Sequence, residues 1–412
     1  MSRIQELIKE KCPAGVHFYK LSEIGNHYTG LSGKTKKDFE NGNCKYITYS
    51  NVFKNSAIKL DVNDLVYISE NEKQNNIEFK DILVTGSSEN LEDSGMISVV
   101  TEVPKEKIYL NSFCFGFRLN NYFYEKFDAT FLKHLFRDNK FRNEIMSCSF
   151  GVTRYNLSKE KFSKIKIPCP PIEVQKEIAR ILDKFGELEA ELETELEARK
   201  QQYKFWRKYL FNSNNIKSIE DVCLNISSGG TPNTSHREYY RGTVPWLRTQ
   251  EVNWNIIQDT ELKITEEAIK NSSAKVIPKN CVIVAMYGAT VGRVAINNIP
   301  LSTNQACCNL EINPRFADYK YVFYWLSSQY KYIKSLGQGS QTNINAQTVR
   351  KIKIPIPSIE EQQKTVKILD KFDKLINDIS EGLPAEIELR RSQYEYYKNK
   401  LLSFKELPNE EY

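Results

Sequence analysis

The chain has 412 residues, 58 Lys plus Arg against 52 Asp plus Glu, and a formal net charge of +6. At 40% hydrophobic and 12% aromatic it reads as globular rather than disordered, with room for two or three domains of roughly 150 residues each. No stretch offers about 18 uninterrupted apolar residues, since the most apolar run, Cys281 to Ile296, is broken by Arg293, and the charged opening from Met1 to Glu10 is unlike a signal peptide. A membrane span is therefore excluded and a cytoplasmic location expected.

From the start of the chain, polar loops alternate with strand-like apolar runs. The first segment, 1–168, carries Lys34, Thr35, Lys36 and Lys37 in a Gly-flanked loop, then Thr48, Tyr49, Ser50 and Asn51 after a strand-like run, and Arg154, Tyr155 and Asn156 behind Gly151. Residues 169–212 follow as a Pro-led, Glu/Leu/Lys-rich segment. The next segment, 213–357, repeats the first pattern. Its polar sites are Thr231, Asn233 and Thr234, then Arg248, Gln250 and Glu251, then Gln341, Thr342 and Asn343. Residues 358–412 close the chain with a second helical segment.

The chain is an internal duplication. Lys164-Ile165-Lys166-Ile167-Pro168-x-Pro170-x-Ile172-Glu173-x-Gln175 and Ile181-Leu182-Asp183-Lys184-Phe185 recur 187 residues later, as Lys351 to Gln362 and Ile368 to Phe372. Across 164–188 and 351–375, 15 of 25 positions are identical. Fainter echoes lie upstream at an offset of 200, where Ile47 to Val52 faces Leu247 to Val252 and Ile82-Leu83-Val84 faces Val282-Ile283-Val284. The globular parts have diverged and the connecting parts have not. Such a pattern suggests two lobes that recognise different things, carried on connectors that keep a fixed geometry or bind a common partner.

Within the first connector, positions 178, 182, 185, 189, 192, 196, 199, 203, 206 and 210 step by four and three, and all but Glu189 and Arg199 are apolar. That spacing predicts one long helix with a heptad seam. The second copy keeps the seam through Leu369, Phe372, Ile376, Ile379, Ile387, Tyr394, Tyr397 and Leu401, with a break or kink expected at Gly382 and Pro384. Two such seams can bury one another as an antiparallel pair about 50 Å long, from about 33 residues at roughly 1.5 Å each. The aromatic ends, Tyr203, Phe205, Trp206, Tyr394, Tyr396 and Tyr397, then become candidates for docking helices of another subunit.

The positive charge belongs to the lobes. Residues 1–168 carry a surplus of +4 and 213–357 one of +6, whereas the connectors carry −1 and −3. Basic lobes with Arg, Lys, Gln, Asn, Thr and Glu in glycine-flanked loops have the residue types that hold phosphates and read base edges. Catalytic patterns fail on inspection. The loop at Gly30 to Thr35 has Tyr28 where a phosphate-binding loop needs glycine, Glu261-Leu262-Lys263 has no partner acid, and the four histidines form no acid–base or metal pattern. Nine scattered cysteines without a C-x-x-C pair are expected to be reduced, and no metal site is expected.

The doubled Ile-Pro-x-Pro-x-x-Glu-x-Gln motif with Ile-Leu-Asp-Lys-Phe, and the closing run through Arg390, Arg391, Gln393, Tyr394, Tyr396 and Tyr397, resemble the specificity subunit of type I restriction-modification enzymes. The resemblance implies an α+β chain of two mixed α/β target-recognition domains separated by two long antiparallel helices in a pseudo-two-fold repeat. It also implies that each lobe reads one half of a bipartite, asymmetric duplex target. Further implied are helices that dock two methyltransferase subunits, and restriction subunits that add nuclease and translocase activity. S-adenosylmethionine, Mg and ATP would be held by those partners and no cofactor by this chain. Two other readings stay open: an enzyme acting on nucleic acid, and a protein-binding coiled-coil scaffold without DNA recognition.

Overall fold

Ile82–Thr85 and Val282–Ala285 are strands without a polar face, and that dictates how each lobe is layered. In the computed structural model, which describes residues 2–337, 343–378 and 380–408, alternate side chains of each strand enter different cores. Ile82 and Val84 join Phe117, Phe127, Phe131 and the connector residues Ile178 and Leu182, while Leu83 joins Ile47, Val52 and Leu110. Val282 and Val284 join Leu310, Tyr321 and Leu369, while Ile283 and Ala285 join Leu247, Leu301 and Cys307. A strand covered on both faces has no reason to alternate.

The chain divides into two compact units, Met1–Glu191 with Ile387–Tyr412, and Leu192–Glu386. In the first, an antiparallel sheet runs in the order Gly25–Thr29, Cys114–Leu119, Ile82–Thr85, Ile97–Val99. A smaller sheet pairs Cys44–Ile47 antiparallel with Leu65–Val66 and parallel with Ile108–Leu110. In the second, Cys223–Ser228, Cys307–Ile312, Val282–Ala285, Val294–Asn297 and Ile256–Ile257 form the larger sheet. Its smaller sheet again has a parallel pair, Val244–Leu247 with Leu301–Thr303.

The two sequence offsets meet in one hydrogen bond. Leu157 N donates to Gly86 O in the first unit and Ile344 N to Met286 O in the second, each at 3.0 Å. Leu157 and Ile344 are related by 187 residues, Gly86 and Met286 by 200. Each lobe thus folds so that the segment before its connector closes onto the loop after its central strand.

The repeated motif is a lock between lobe and connector. Gln175 and Gln362 are fully buried. Gln175 Oε1 accepts from Asp128 N at 2.9 Å while its Nε2 donates to the carbonyls of Lys126 and Pro170, both at 2.7 Å. Gln362 does the same with Asp318 N at 2.9 Å, Phe316 O at 3.1 Å and Pro357 O at 2.9 Å. Asp128 and Asp318 are the N-caps of Ala129–Leu135 and Tyr319–Ser328, so each glutamine ties a lobe helix to the proline lead-in. One helical turn or two further on, the motif aspartates add a second tie. Asp183 accepts from Lys133 at 2.5 Å and lies 2.7 Å from His134 Nε2, whereas Asp370 accepts from Lys320 and the Tyr324 hydroxyl, both at 2.7 Å.

The first connector is one helix, Ile172–Tyr209. The second is two, Ile359–Asn377 and Leu383–Leu402, with the break at the expected glycine and proline. Asp378 receives Ser380 and Glu381 amides, and a Cβ on Gly382 would stand 2.6 Å from the Asp378 and Lys374 carbonyls, so only glycine fits there. Pro384 sits in the first turn of the second helix, where its missing amide costs nothing. Ile379 of the seam lies outside the described residues. In the first unit, Glu189 pairs with Arg391 at 2.6 Å and Phe185 packs on Tyr394 and Tyr397, an antiparallel contact. The chain's last described segment then lies along Val16, which bonds Lys405 O and Leu407 N, each at 2.9 Å.

Replacing Gln175 with leucine leaves the Asp128 amide and the Pro170 carbonyl without the partner Gln175 supplies and the Lys126 carbonyl with only the weak Cys169 thiol donor, at a cost of about 3 kcal/mol. Urea unfolding would show it, and an unchanged midpoint would refute the lock. Burial pushes the His134 pKa below its ordinary 6.5, against the pull of Asp183. Below pH 6.5 the unfolded chain therefore binds a proton that the folded one refuses, and stability falls as pH drops from 7 toward 5. The same urea series with His134→Gln should show a shallower loss; an equal slope would exclude His134 as its source.

Candidate nucleic-acid interface

In the first unit residues of two predicted loops meet at one cleft, which the Lys34 to Lys37 loop does not line. The Thr48 side chain caps Tyr49–Lys54 by accepting from Asn51 N at 3.3 Å. Tyr49 stacks on Phe53 and donates from its hydroxyl to Ser87 O at 2.8 Å; burial raises its pKa. Arg154 donates to Ser87 Oγ from Nε at 3.1 Å and Nη2 at 3.0 Å, with its guanidinium 5.8 Å from the Phe113 ring. These residues, with Ser88, Glu89, Asn90 and Asp93, line an open cleft of about 370 Å³. A cleft holding one cation, two carboxylates, an amide and hydroxyls suits base edges, with their mixed donors and acceptors, better than phosphates. Tyr155 and Asn156 stand on Tyr155–Leu157, paired with Ser88 and Ser87 at the cleft wall.

Several candidates turn inward instead. Asn51 holds Lys59 through both its side-chain atoms. Lys34 is sequestered: its ammonium donates to Tyr67 O and Glu72 Oε2, both at 2.6 Å, and its side chain is only 6% exposed, because Glu72 stands directly beside it. Thr35 shares Asp38 within a short turn. Lys36, Lys37 and Ser50 remain exposed.

The second unit places its loops in the same relation to the central strand. Thr249–Glu251 packs against Gly288–Thr290, and Gly288 N donates to Asn343 Oδ1 at 3.3 Å. Arg248 pairs with Glu261 at 2.5 Å and approaches Glu251 at 3.8 Å, so Glu261, half of a supposed nuclease signature, is a partner of Arg248. Gln250 is exposed. Thr231 bonds Gln305, Asn233 closes a turn onto Ser235, and Thr234 is exposed. Gln341 and Thr342 lie outside the described residues. Phe53, Ser87 and Phe113 in one unit, and Arg293 in the other, were missed by sequence reasoning. Arg293 bonds Asn253 at 2.9 Å and lies 5.0 Å over Trp254. Extending the offset of 200 by a few residues beyond Val84 and Val284 would have flagged the Ser87 and Gly288 loops.

The helix aromatics fall into two sets. Tyr203, Tyr394 and Tyr397 were expected on an outer docking face, but they pack inside their own units. Tyr203 packs on Phe372, and Tyr394 and Tyr397 pack on Phe185, whereas Trp206, also at a seam position, does not pack inward. Burial holds the Tyr203 and Tyr394 hydroxyls up at about 12. Phe205, Trp206 and Tyr396 do stay outside, at 57%, 41% and 59% exposure, and Tyr209 extends the first two by stacking on Phe205. Buried thiols such as Cys114 and Cys308 are pushed up to about 12, far from a reactive thiolate. Among the described residues no group of three or more His, Cys, Asp or Glu could hold a metal, and no described helix is long and apolar enough to cross a membrane.

A duplicated core with matching locks and two unlike loop surfaces defines an internally repeated recognition protein. The family model described as type I restriction modification DNA specificity domain matches residues 13–198 and 213–389, and the chain belongs to that family. It is 38% identical over 258 residues to a type I restriction enzyme specificity subunit of Escherichia coli. That match covers 58% of this chain and 63% of the relative, so the chain spans under two thirds of that protein's length. A putative specificity subunit of Haemophilus influenzae is 30% identical over 301 residues, covering 68% of this chain and 73% of that one. Among solved structures, the HsdS subunit of Thermoanaerobacter tengcongensis shares the fold with a TM-score of 0.55 at 16% identity, over 95% of this chain and 97% of that one.

The two aromatic sets should separate in a denaturation experiment. Tyr203→Ala removes a packed ring and should cost about 3 kcal/mol, while Trp206→Ser should stay within about 0.5 kcal/mol of the wild type. Equal losses would show that Trp206 is also part of the core.

Proposed function

We propose that the chain is the DNA-reading, non-catalytic component of a type I restriction-modification complex. Each lobe reads one half of a bipartite, asymmetric duplex target, and connector length sets the number of base pairs between the halves. The observation that carries this reading is that both lobes keep the same backbone closure and the same glutamine lock, while the residues gathered at that closure differ, Tyr49, Ser87 and Arg154 against Gln250, Gly288 and Asn343. Selection for one scaffold and two specificities leaves that pattern.

The exposed Phe205 stacks on Tyr209 and meets Trp206 edge-on at the end of the first connector, an apolar patch suited to the helices of a methyltransferase subunit. In this reading two such subunits bind S-adenosylmethionine and methylate adenine, and restriction subunits carry Mg and ATP chemistry. The protein itself supplies the address.

Co-expression with a methyltransferase subunit encoded beside it, in a host without methylation, followed by mapping of methylated adenines, tests the reading. One two-part motif with a fixed spacer is the expected result. A stable complex that leaves the genome unmethylated would favour a protein-binding scaffold instead. Phe205→Ser with Trp206→Ser should abolish methylation through loss of the partner, with unchanged unfolding of the isolated chain.

A further inference from the structure

Gln250 stands exposed on Thr249–Glu251, the turn that packs against Gly288–Thr290 beside Asn343. Its amide is held. A guanidinium can only donate, so the amide is assigned with Oε1 toward Arg248, where it accepts from Nη1 at 3.0 Å and Nη2 at 2.9 Å. Arg248 is paired in turn, since Glu261 takes its Nη2 at 2.5 Å and Glu251 lies 3.8 Å from its Nε. Glu251 is fixed in turn by the amides of Arg248 at 3.1 Å and Glu261 at 3.0 Å. Two carboxylates orient a guanidinium, and the guanidinium orients an amide.

The consequence is chemical. Both lone pairs of the Gln250 oxygen are engaged by Arg248, which leaves only the two N–H donors of Nε2 facing outward. A free glutamine reads adenine by accepting from N6 and donating to N7, and this one has nothing left to accept with. Guanine is the base that offers two adjacent acceptors, O6 and N7, in the major groove. We propose that Gln250 is a donor-only reader that selects guanine in the half-site of the second lobe. The position 200 residues earlier is Ser50, which has no amide, so the two lobes read this place differently.

This inference rests on the DNA-reading function proposed above, and its test separates the two. Adenine methylation is mapped genome-wide for the complex formed with wild-type chain, with Gln250→Glu and with Gln250→Ala. Gln250→Glu keeps one oxygen on Arg248 and presents the other as an acceptor, so one guanine of one half-site should become cytosine, whose N4 donates. Gln250→Ala should make that position degenerate, with preference reduced on the order of tenfold to a hundredfold. A wild-type motif retained unchanged by both variants overturns the proposal and leaves DNA reading intact. No motif from the wild-type complex overturns DNA reading, and the proposal with it.

Discussion

A neutral amide without water around it is stable only when its oxygen and nitrogen are all used, and the cost of leaving them unused falls on the backbone groups opposite as well. Gln175 and Gln362 meet that condition with three hydrogen bonds each, to the N-cap of a lobe helix, to the residue two before it and to the proline lead-in. The rest of the architecture depends on this. A lobe that drifted from its connector would strand three polar groups at once. The nearby aspartates repeat the constraint with charge, and their partners differ only in detail, His134 in one unit and Tyr324 in the other. This explains why the motif survived duplication while the surfaces around it did not.

Polar residues on the loops serve two ends. Some are consumed in building the loop: Thr48 and Asn51 shape the turn that carries Ser50, and Asp38 closes the turn behind Lys36 and Lys37. Others are left presenting a donor or acceptor outward, and their orientation is set by the consumed ones. Arg248 belongs to the first kind by virtue of Glu251 and Glu261, and Gln250 to the second. Rigid presentation of this sort lowers the entropy lost on binding and sharpens discrimination between ligands.

The duplication, the lead-ins, the single long helix and the broken second one were all legible, because heptad spacing, proline and glycine act locally and leave a sequence signature. Strands such as Val282–Ala285 were legible as apolar runs, though which core each side chain enters was not, since that depends on partners far away in sequence. The polar loops fall between strands, but which of their side chains the fold consumes was not legible. Lys34 looks like a phosphate contact until Glu72, 38 residues later, is found beside it. Tyr203 and Trp206 look alike three residues apart, yet one packs on Phe372 and the other is exposed. Pairing across long separations decides whether a polar or aromatic side chain is structural, and a single sequence holds no record of it.

In the proposed function each locked lobe is a separable reader on a common scaffold. Replacing residues 213–350, which lie between the two motif copies, with the corresponding segment of another family member and mapping adenine methylation by the resulting complex tests this. One half of the motif should change while the other half and the spacer length stay as they were. A change in both halves, or in the spacer, would contradict it.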